Sequence, residues 1–400
     1  MPKISVKRSI KKESIADKNA EWRVRTLTLI LTRRCNLDCA YCYEKHKNQD
    51  EGFMDVAVAK EAIKYFMELE DDLNHVLIDF FGGEPLLAFS LIKRIFEWCN
   101  SQHWKKKYHF LIGTNGTLLN DEMKEWFSRH RQYFSMSLSI DGSRTAHNMC
   151  RDNSYDLVYP HIEFIKKNWP DQTAKMTIWG DTIPYIADSV IELEEMGLNF
   201  TANISFENFW GNPGNKKQLL NIYEEQLSRL VEYYKENSTL YPVYPMLGLF
   251  PSYLGIPGFS KYEKKDCVRF CGAGHEMVAV DIDGARYPCH RFLNWVTGKS
   301  APNGPINRQT TWKPDECSKC KIVLSCPTCA GFNWEENNDT AIRTTYHCEA
   351  HKLEVLASAQ IALEKINKMP LAYLDKMSPK ECIDLKQKIS ALFDLIENGI

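Results

Sequence analysis

From Thr26 onward, short apolar runs alternate with stretches whose apolar residues recur every three or four positions. The runs lie at 26–31, 76–81, 109–113, 134–140, 174–179 and 199–205. They are β-rich and nearly continuous in their hydrophobicity, which predicts strands covered on both faces, as in a parallel sheet. The stretches between them, at 54–69, 88–101, 120–131, 157–167 and 184–196, with another at 216–236, predict amphipathic helices. Six strand–helix units of this kind build either an open doubly wound sheet or a partial barrel.

The residues that interrupt the pattern choose between these. A cysteine-bearing stretch, 32–43, follows the first strand, Gly82-Gly83-Glu84-Pro85 the second, Thr114-Asn115-Gly116 the third and Asp141-Gly142 the fourth. All four gather at the carboxyl-end face, where barrels build their sites, whereas an open sheet concentrates ligands at one switch point. The predicted fold is therefore α/β: a partial (β/α)6 TIM-like barrel over residues 25–236, preceded by a basic tail at 1–24.

Residues 237–266 break periodicity with Tyr241-Pro242, Tyr244-Pro245 and Phe250-Pro251, and read as a linker. A small cysteine-rich domain over 267–350 follows, opening on two short strands about Asp283-Gly284, a two-residue hairpin signal. The end, 351–400, returns to helix. Ser378-Pro379-Lys380-Glu381 is a capping box with Pro at the first helical position. The stripe Ile383, Ile389, Leu392, Phe393 and Leu395 is expected to pack on the body of the protein.

Composition narrows the chemistry. A 44% hydrophobic share is ample for a packed core, and a net charge of −2 advertises neither nucleic acid nor a membrane surface. No run is long and apolar enough to span a bilayer, and the basic first residues lack the apolar core of a signal peptide. Fourteen cysteines without such a signal argue for metal ligands or catalytic groups in a reducing cytosol rather than for disulfides. Three fall in 35–42 and eight in 267–348.

Cys35, Cys39 and Cys42, on one loop, are spaced to reach three irons of a cubane cluster and leave the fourth iron for a small molecule. Zinc would more often ask for two CxxC pairs or Cys/His sets. The trio, with Tyr41 just before its last cysteine, resembles the signature of the radical S-adenosylmethionine (SAM) enzymes. Cys317/Cys320 and Cys326/Cys329 could alone make a zinc ribbon. With Cys267, Cys271, Cys289 and Cys348 the set suffices for two four-thiolate sites, and beside the first trio iron–sulfur is favoured.

The later cysteines resemble a SPASM domain, the extension of radical SAM enzymes that binds auxiliary 4Fe–4S clusters. Cys271, Gly284-x4-Cys289, Cys317/Cys320/Cys326 and Cys348 fit its pattern, while Cys326 and Cys329 stand one residue closer together than usual. The resemblance implies a nearer cluster on Cys267, Cys271, Cys289 and Cys329 and an outer one on Cys317, Cys320, Cys326 and Cys348, making three 4Fe–4S clusters with the SAM-binding one. It further implies that Gly82, Gly83, Glu84 and Pro85 meet the SAM amino group, that Ser139 meets the ribose, and that Arg151 pairs with the SAM carboxylate. The implied chemistry is reductive cleavage of SAM to a 5′-deoxyadenosyl radical that takes a hydrogen atom from the substrate. A reductase such as flavodoxin or ferredoxin would supply the electron.

The extension implies a peptide or protein substrate. Sulfatase maturases carry an Asp straight after the hairpin's cysteine, and here His290 stands there. That favours a maturase that oxidises or crosslinks a ribosomally made peptide, with a separate leader-recognition protein as a partner, over formylglycine formation. A non-catalytic iron–sulfur or zinc-structured binding protein is the reading from another class. No catalytic base is assigned.

Overall fold

The computed structural model describes residues 24–44, 52–71, 73–237, 272–302, 306, 315–323, 326–368 and 378–398. The tail, the 237–266 linker beyond Asn237, Cys267 and Cys271 lie outside them. In chain order the first part is β1 (Val24–Thr32), α1 (Val56–Glu68), β2 (His75–Gly82), α2 (Phe89–Asn100), β3 (Lys107–Thr114), α3 (Asp121–Arg129), β4 (Phe134–Leu138), α4 (Arg144–Cys150), α5 (Tyr155–Val158), α6 (Ile162–Asn168), β5 (Ala174–Ile178), α7 (Ile186–Glu195), β6 (Phe200–Ile204) and α8 (Pro213–Glu236). Side-chain caps fix several helix starts: Asp55 accepts from the Ala57 amide, Asn120 from Met123 and Asn212 from Asn215.

Strands β1 to β4 pair in parallel and in sequence order, and β5 pairs with β6. Among the described residues the two sheets meet through a single bridge, Ser139 beside Lys175, closed by the Ile140 amide donating to the Lys175 carbonyl at 3.0 Å. The run 134–140 therefore serves two neighbours: its first five residues pair with β3 and its last two cross to β5. The predicted helix at 157–167 is divided into α5, a 3-10 turn and α6, because Pro160 has no amide to donate. Helix α4 is too short to show periodicity and is absent from the sequence pattern.

Alternation along the strands sorts the side chains. Leu27, Leu29 and Leu31 of β1, Val76, Ile78 and Phe80 of β2, and Phe110 and Phe134 of β3 and β4 enter the core beneath the helices. Phe80, Phe110 and Phe134 form a ladder with centroids 5.0 Å apart at each step, met by Phe96 of α2 and Trp126 of α3. Their neighbours, polar for the most part, face the lumen.

The second part is β7 (Met277–Val280), β8 (Arg286–Tyr287), α9 (Asn294–Thr297), α10 (Glu316–Lys319), α11 (Ala330–Asn337), α12 (Cys348–Asn367) and α13 (Pro379–Asn398). β7 pairs in parallel with β1, Thr26 to Leu29 against Met277 to Val280, so the hairpin continues the barrel sheet in the order β4-β3-β2-β1-β7-β8. The hairpin loop is longer than the two residues expected. The Asp281 amide donates to the Ala285 carbonyl, and three residues remain, ending on Gly284 at φ 87°.

Helix α12 packs on α8, where the buried Tyr223 hydroxyl donates to Glu354 at 2.6 Å. Helix α13 starts at Pro379 as expected, but its stripe does not pack throughout. Ile383 and Phe393 are exposed, and Ile396 instead packs with Ile322, Val355 and Ala359. No helix among the described residues is long and apolar enough to cross a membrane.

Candidate active site

The cysteine loop leaves β1 and is held from three sides. On the β2 side, the Gly83 and Glu84 amides donate to the Thr32 and Arg34 carbonyls at 3.1 and 2.8 Å. On the β3 side, Asn115 Nδ2 donates to Asn36 at 3.0 Å and lies 3.9 Å from Cys35 Sγ, which also receives the Leu37 amide at 3.5 Å. From the end of α4 and the turn after it, the Cys150 carbonyl accepts the Ala40 amide at 2.9 Å, and the Asp152 carboxylate accepts the Asp38 amide. Cys35, Cys39 and Cys42 are half-buried, and among the described residues no cysteine is in a disulfide.

Gly82 and Gly83 are required for a reason the sequence did not show. A Cβ on Gly83 would lie 2.2 Å from the Arg34 carbonyl oxygen, and one on Gly82, at φ 132°, 2.0 Å from the Thr32 oxygen. The glycines thus admit the cysteine loop itself against β2. The buried Glu84 carboxylate accepts from the Leu86 amide (3.0 Å), the Thr114 hydroxyl (2.7 Å) and the Asn115 amide (2.8 Å). It caps the turn at Pro85 and binds two strand-end loops together. Burial, outweighing these donors, raises its pKa. Ser139 is half-buried at the same mouth, its amide on the Thr114 carbonyl.

The hub of the mouth is Asp141, which the sequence showed only as half of a turn. It is 1% exposed. Arg151 Nε and Nη2 reach its two oxygens at 2.8 and 3.3 Å, the Tyr41 hydroxyl donates at 2.5 Å, and the Thr177 amide of β5 donates at 2.9 Å. The Arg151 guanidinium also lies 5.2 Å from the Tyr41 ring centroid. The guanidinium expected to meet a SAM carboxylate is therefore engaged by an internal carboxylate, and it offers a ligand only its remaining donors. Burial raises the Tyr41 pKa well above the ordinary phenol value. Asp152 and Asn153, both at positive φ, turn the chain sharply after Arg151.

The later cysteines sort by neighbourhood. Burial first, and then the thiols of Cys348, Cys320 and Cys317, push Cys326 up to about 12, against the Arg343 cation. These four half-buried side chains lie within electrostatic reach of one another, and their thiols must lose protons to bind metal, which is the donor set a four-thiolate cluster uses. Cys289 is buried beside Tyr43, which also feels Cys42, and Cys329 lies within electrostatic reach of Arg291. Among the described residues no three Cys, His, Asp or Glu side chains converge on one point as a single metal ion requires. Thiolates that each hold a different iron of a cubane do not need to meet.

His290 occupies the place of the missing carboxylate. Its Nδ1 meets the Tyr43 hydroxyl at 2.8 Å, and its ring stacks on Phe81 with centroids 4.4 Å apart. Burial, with the Lys175 and Arg291 cations, pushes it down to about 3, so it is neutral. Arg291 bridges Glu207, after β6, and Glu335 of α11 at 2.7 and 2.8 Å, and lies 4.6 Å from the Tyr43 ring. These contacts fasten the cysteine-rich unit over the lumen.

The profile of the Radical SAM superfamily matches residues 29–184. The tungsten-containing aldehyde ferredoxin oxidoreductase cofactor-modifying protein of Pyrococcus furiosus is 32% identical over 300 residues, 67% of this chain and 71% of that protein. The radical SAM cyclopropyl synthase TigE of Paramaledivibacter caminithermalis is 22% identical over 229 residues, 50% of this chain and 47% of its own length, so the chain spans about half of that relative. The solved structure described as native anSMEcpe with bound AdoMet and Cp18Cys peptide superposes with a TM-score of 0.62 at 20% identity, covering 86% of this chain and 99% of the other.

Proposed function

Because this chain belongs to the radical SAM superfamily, we propose that it is a maturase that oxidises or crosslinks residues of a ribosomally synthesised peptide. One observation carries the reading. The strand-end loops of β1 to β4 bring the cysteine trio, the glycine loop, Ser139 and the Asp141–Arg151 pair to a single mouth above a polar lumen, and the cysteine-rich unit closes over it. SAM on a reduced 4Fe–4S cluster would supply a radical that abstracts hydrogen. Cys35, Cys39 and Cys42 would hold that cluster. The carbonyls of the glycine loop would receive the amino group, Ser139 the ribose, and Arg151, braced by Asp141, the carboxylate. Auxiliary clusters on the two later cysteine sets, a flavodoxin or ferredoxin reductase and a separate leader-recognition protein complete the proposal.

A second reading has its own support. The Pyrococcus relative is named for modifying a cofactor, which would make the substrate a small molecule. Formylglycine formation is less well supported, because His290 is neutral and hydrogen-bonded where that chemistry places a carboxylate.

Anaerobic reconstitution tests the first step. The wild type is expected to bind iron and labile sulfide and to release 5′-deoxyadenosine from SAM under dithionite, and Cys39→Ala to release none. Holoenzyme that accelerates this release with peptides but not with the cofactor extracted from a tungsten-containing aldehyde ferredoxin oxidoreductase supports the peptide reading, and the opposite preference transfers it to the cofactor.

A further inference from the structure

Lys175 is the residue that the site has not absorbed. It lies on β5 between Ala174 and Met176, both buried in the core beneath the helices, so alternation directs its side chain into the lumen. It is exposed there. Its Nζ lies 3.6 Å from where a Cβ on Gly113 of β3 would stand, so the ammonium spans from β5 to β3 over a position that has no side chain. Among the described residues its side chain makes no hydrogen bond and no ion pair.

The surroundings place one carboxylate within reach of this charge but, among the described residues, none in contact with it. Asp79 of β2 is a lumen carboxylate within electrostatic reach, with Thr28 donating to it at 3.4 Å. Burial outweighs both and pushes Asp79 up to about 6, so it is still mostly ionised at pH 7 and attracts Lys175 without forming an ion pair with it. His109 is bonded to Ser135 at 2.8 Å, and the His290 ring is bonded to the Tyr43 hydroxyl and stacked on Phe81. Ser137 and Thr177 are uncharged. An ammonium with no ion pair among the described residues, on the strand residue that is itself the bridge partner of Ser139, is placed to receive an anion that enters through the mouth.

We propose that Lys175 is a substrate-anchoring residue that binds a carboxylate of the peptide, an Asp or Glu side chain next to the residue being modified. The inference rests on the peptide reading and narrows it to a substrate class. Lys175 touches the substrate away from the reacting atoms, and Gly113 provides the room for its reach.

The test uses anaerobic holoenzyme with SAM and N-acetylated, C-amidated hexapeptides that carry Glu, Asp, Gln or Asn at one position among randomised neutral residues. Retention is measured by equilibrium dialysis and mass spectrometry. Wild type is expected to retain the acidic members about five-fold over their amides, the worth of one partly exposed charge pair. Lys175→Met is expected to abolish the preference and Lys175→Arg to keep it. Iron content and melting temperature report whether each variant folds, and Lys175→Gln replaces the Met variant if it does not. Peptide retention without acidic preference, or a preference that survives in Lys175→Met, overturns the anchor and leaves the peptide reading standing. Retention of no peptide at all overturns both.

Discussion

Asp141 and Arg151 are 1% and 6% exposed, and a charge so enclosed depends on its partner. Asp141→Asn leaves the guanidinium buried without a counter-ion, and the unfolding free energy is expected to fall by about 3–5 kcal/mol in denaturant titrations. Adding Arg151→Met should recover part of that loss, because the stranded charge is then gone. The adjacent His147 sets a pH limit. Its Nδ1 accepts the Asp141 amide at 3.3 Å and its Nε2 meets Ser154 at 3.0 Å, so a second ring proton would displace a donor. Burial and the nearby Arg151 push it down to about 4. A depressed histidine costs stability as pH falls below its unfolded value, and the whole cost is reached below its folded one. Between pH 6.5 and about 4 the expected penalty is up to about 1.4 kcal/mol per pH unit. Thermal melts of wild type and His147→Gln should diverge in slope across that window and run parallel above pH 7. None of this was legible beforehand, because Asp141-Gly142 reads as a turn and nothing local marks a carboxylate to which three distant segments will donate.

The six strand–helix units were legible because each buries a continuous apolar face, a demand that the residues state directly. The helix ends were legible where a cap side chain announces them, as at Asn120 and Asn212. The purpose of the glycines was not, since it depends on how closely β1 and β2 deliver their loops. Gly83→Ala tests it. The added methyl should displace the cysteine loop, so reconstituted iron falls while circular dichroism stays near that of wild type. The C-terminal stripe shows the opposite failure, in which a true periodicity overstated what it would cover. A helix docked by one edge on α12 needs fewer apolar positions than one lying in a groove, and Ile383 and Phe393 remain in water.

At the scale of the whole molecule, the cysteine-rich unit is built into the barrel. β7 extends its sheet, Arg33 of the cysteine loop pairs with the buried Asp281 at 2.7 Å, and Trp210 donates to His347 at 2.9 Å. The sequence announced the hairpin by its turn chemistry but gave no partner for it, because pairing between strands so distant leaves no local mark. A chain ending at Glu236 would expose the β1 edge from Thr26 to Leu29. Such a fragment is expected to self-associate in sedimentation runs at concentrations where the full chain does not change.

That pairing also sets a schedule. Thr26 is followed by its partner Met277 only 251 residues later. A ribosome adding about 5–20 residues per second needs roughly 13–50 s to supply them. Throughout that interval the first cysteine loop has emerged on a strand with one side open, and Arg33 still lacks Asp281. Cells that load iron during synthesis would be loading an unfinished wall, so the order of completion places closure of the barrel after translation of the hairpin, and any helper that shields β1 until then acts on the nascent chain.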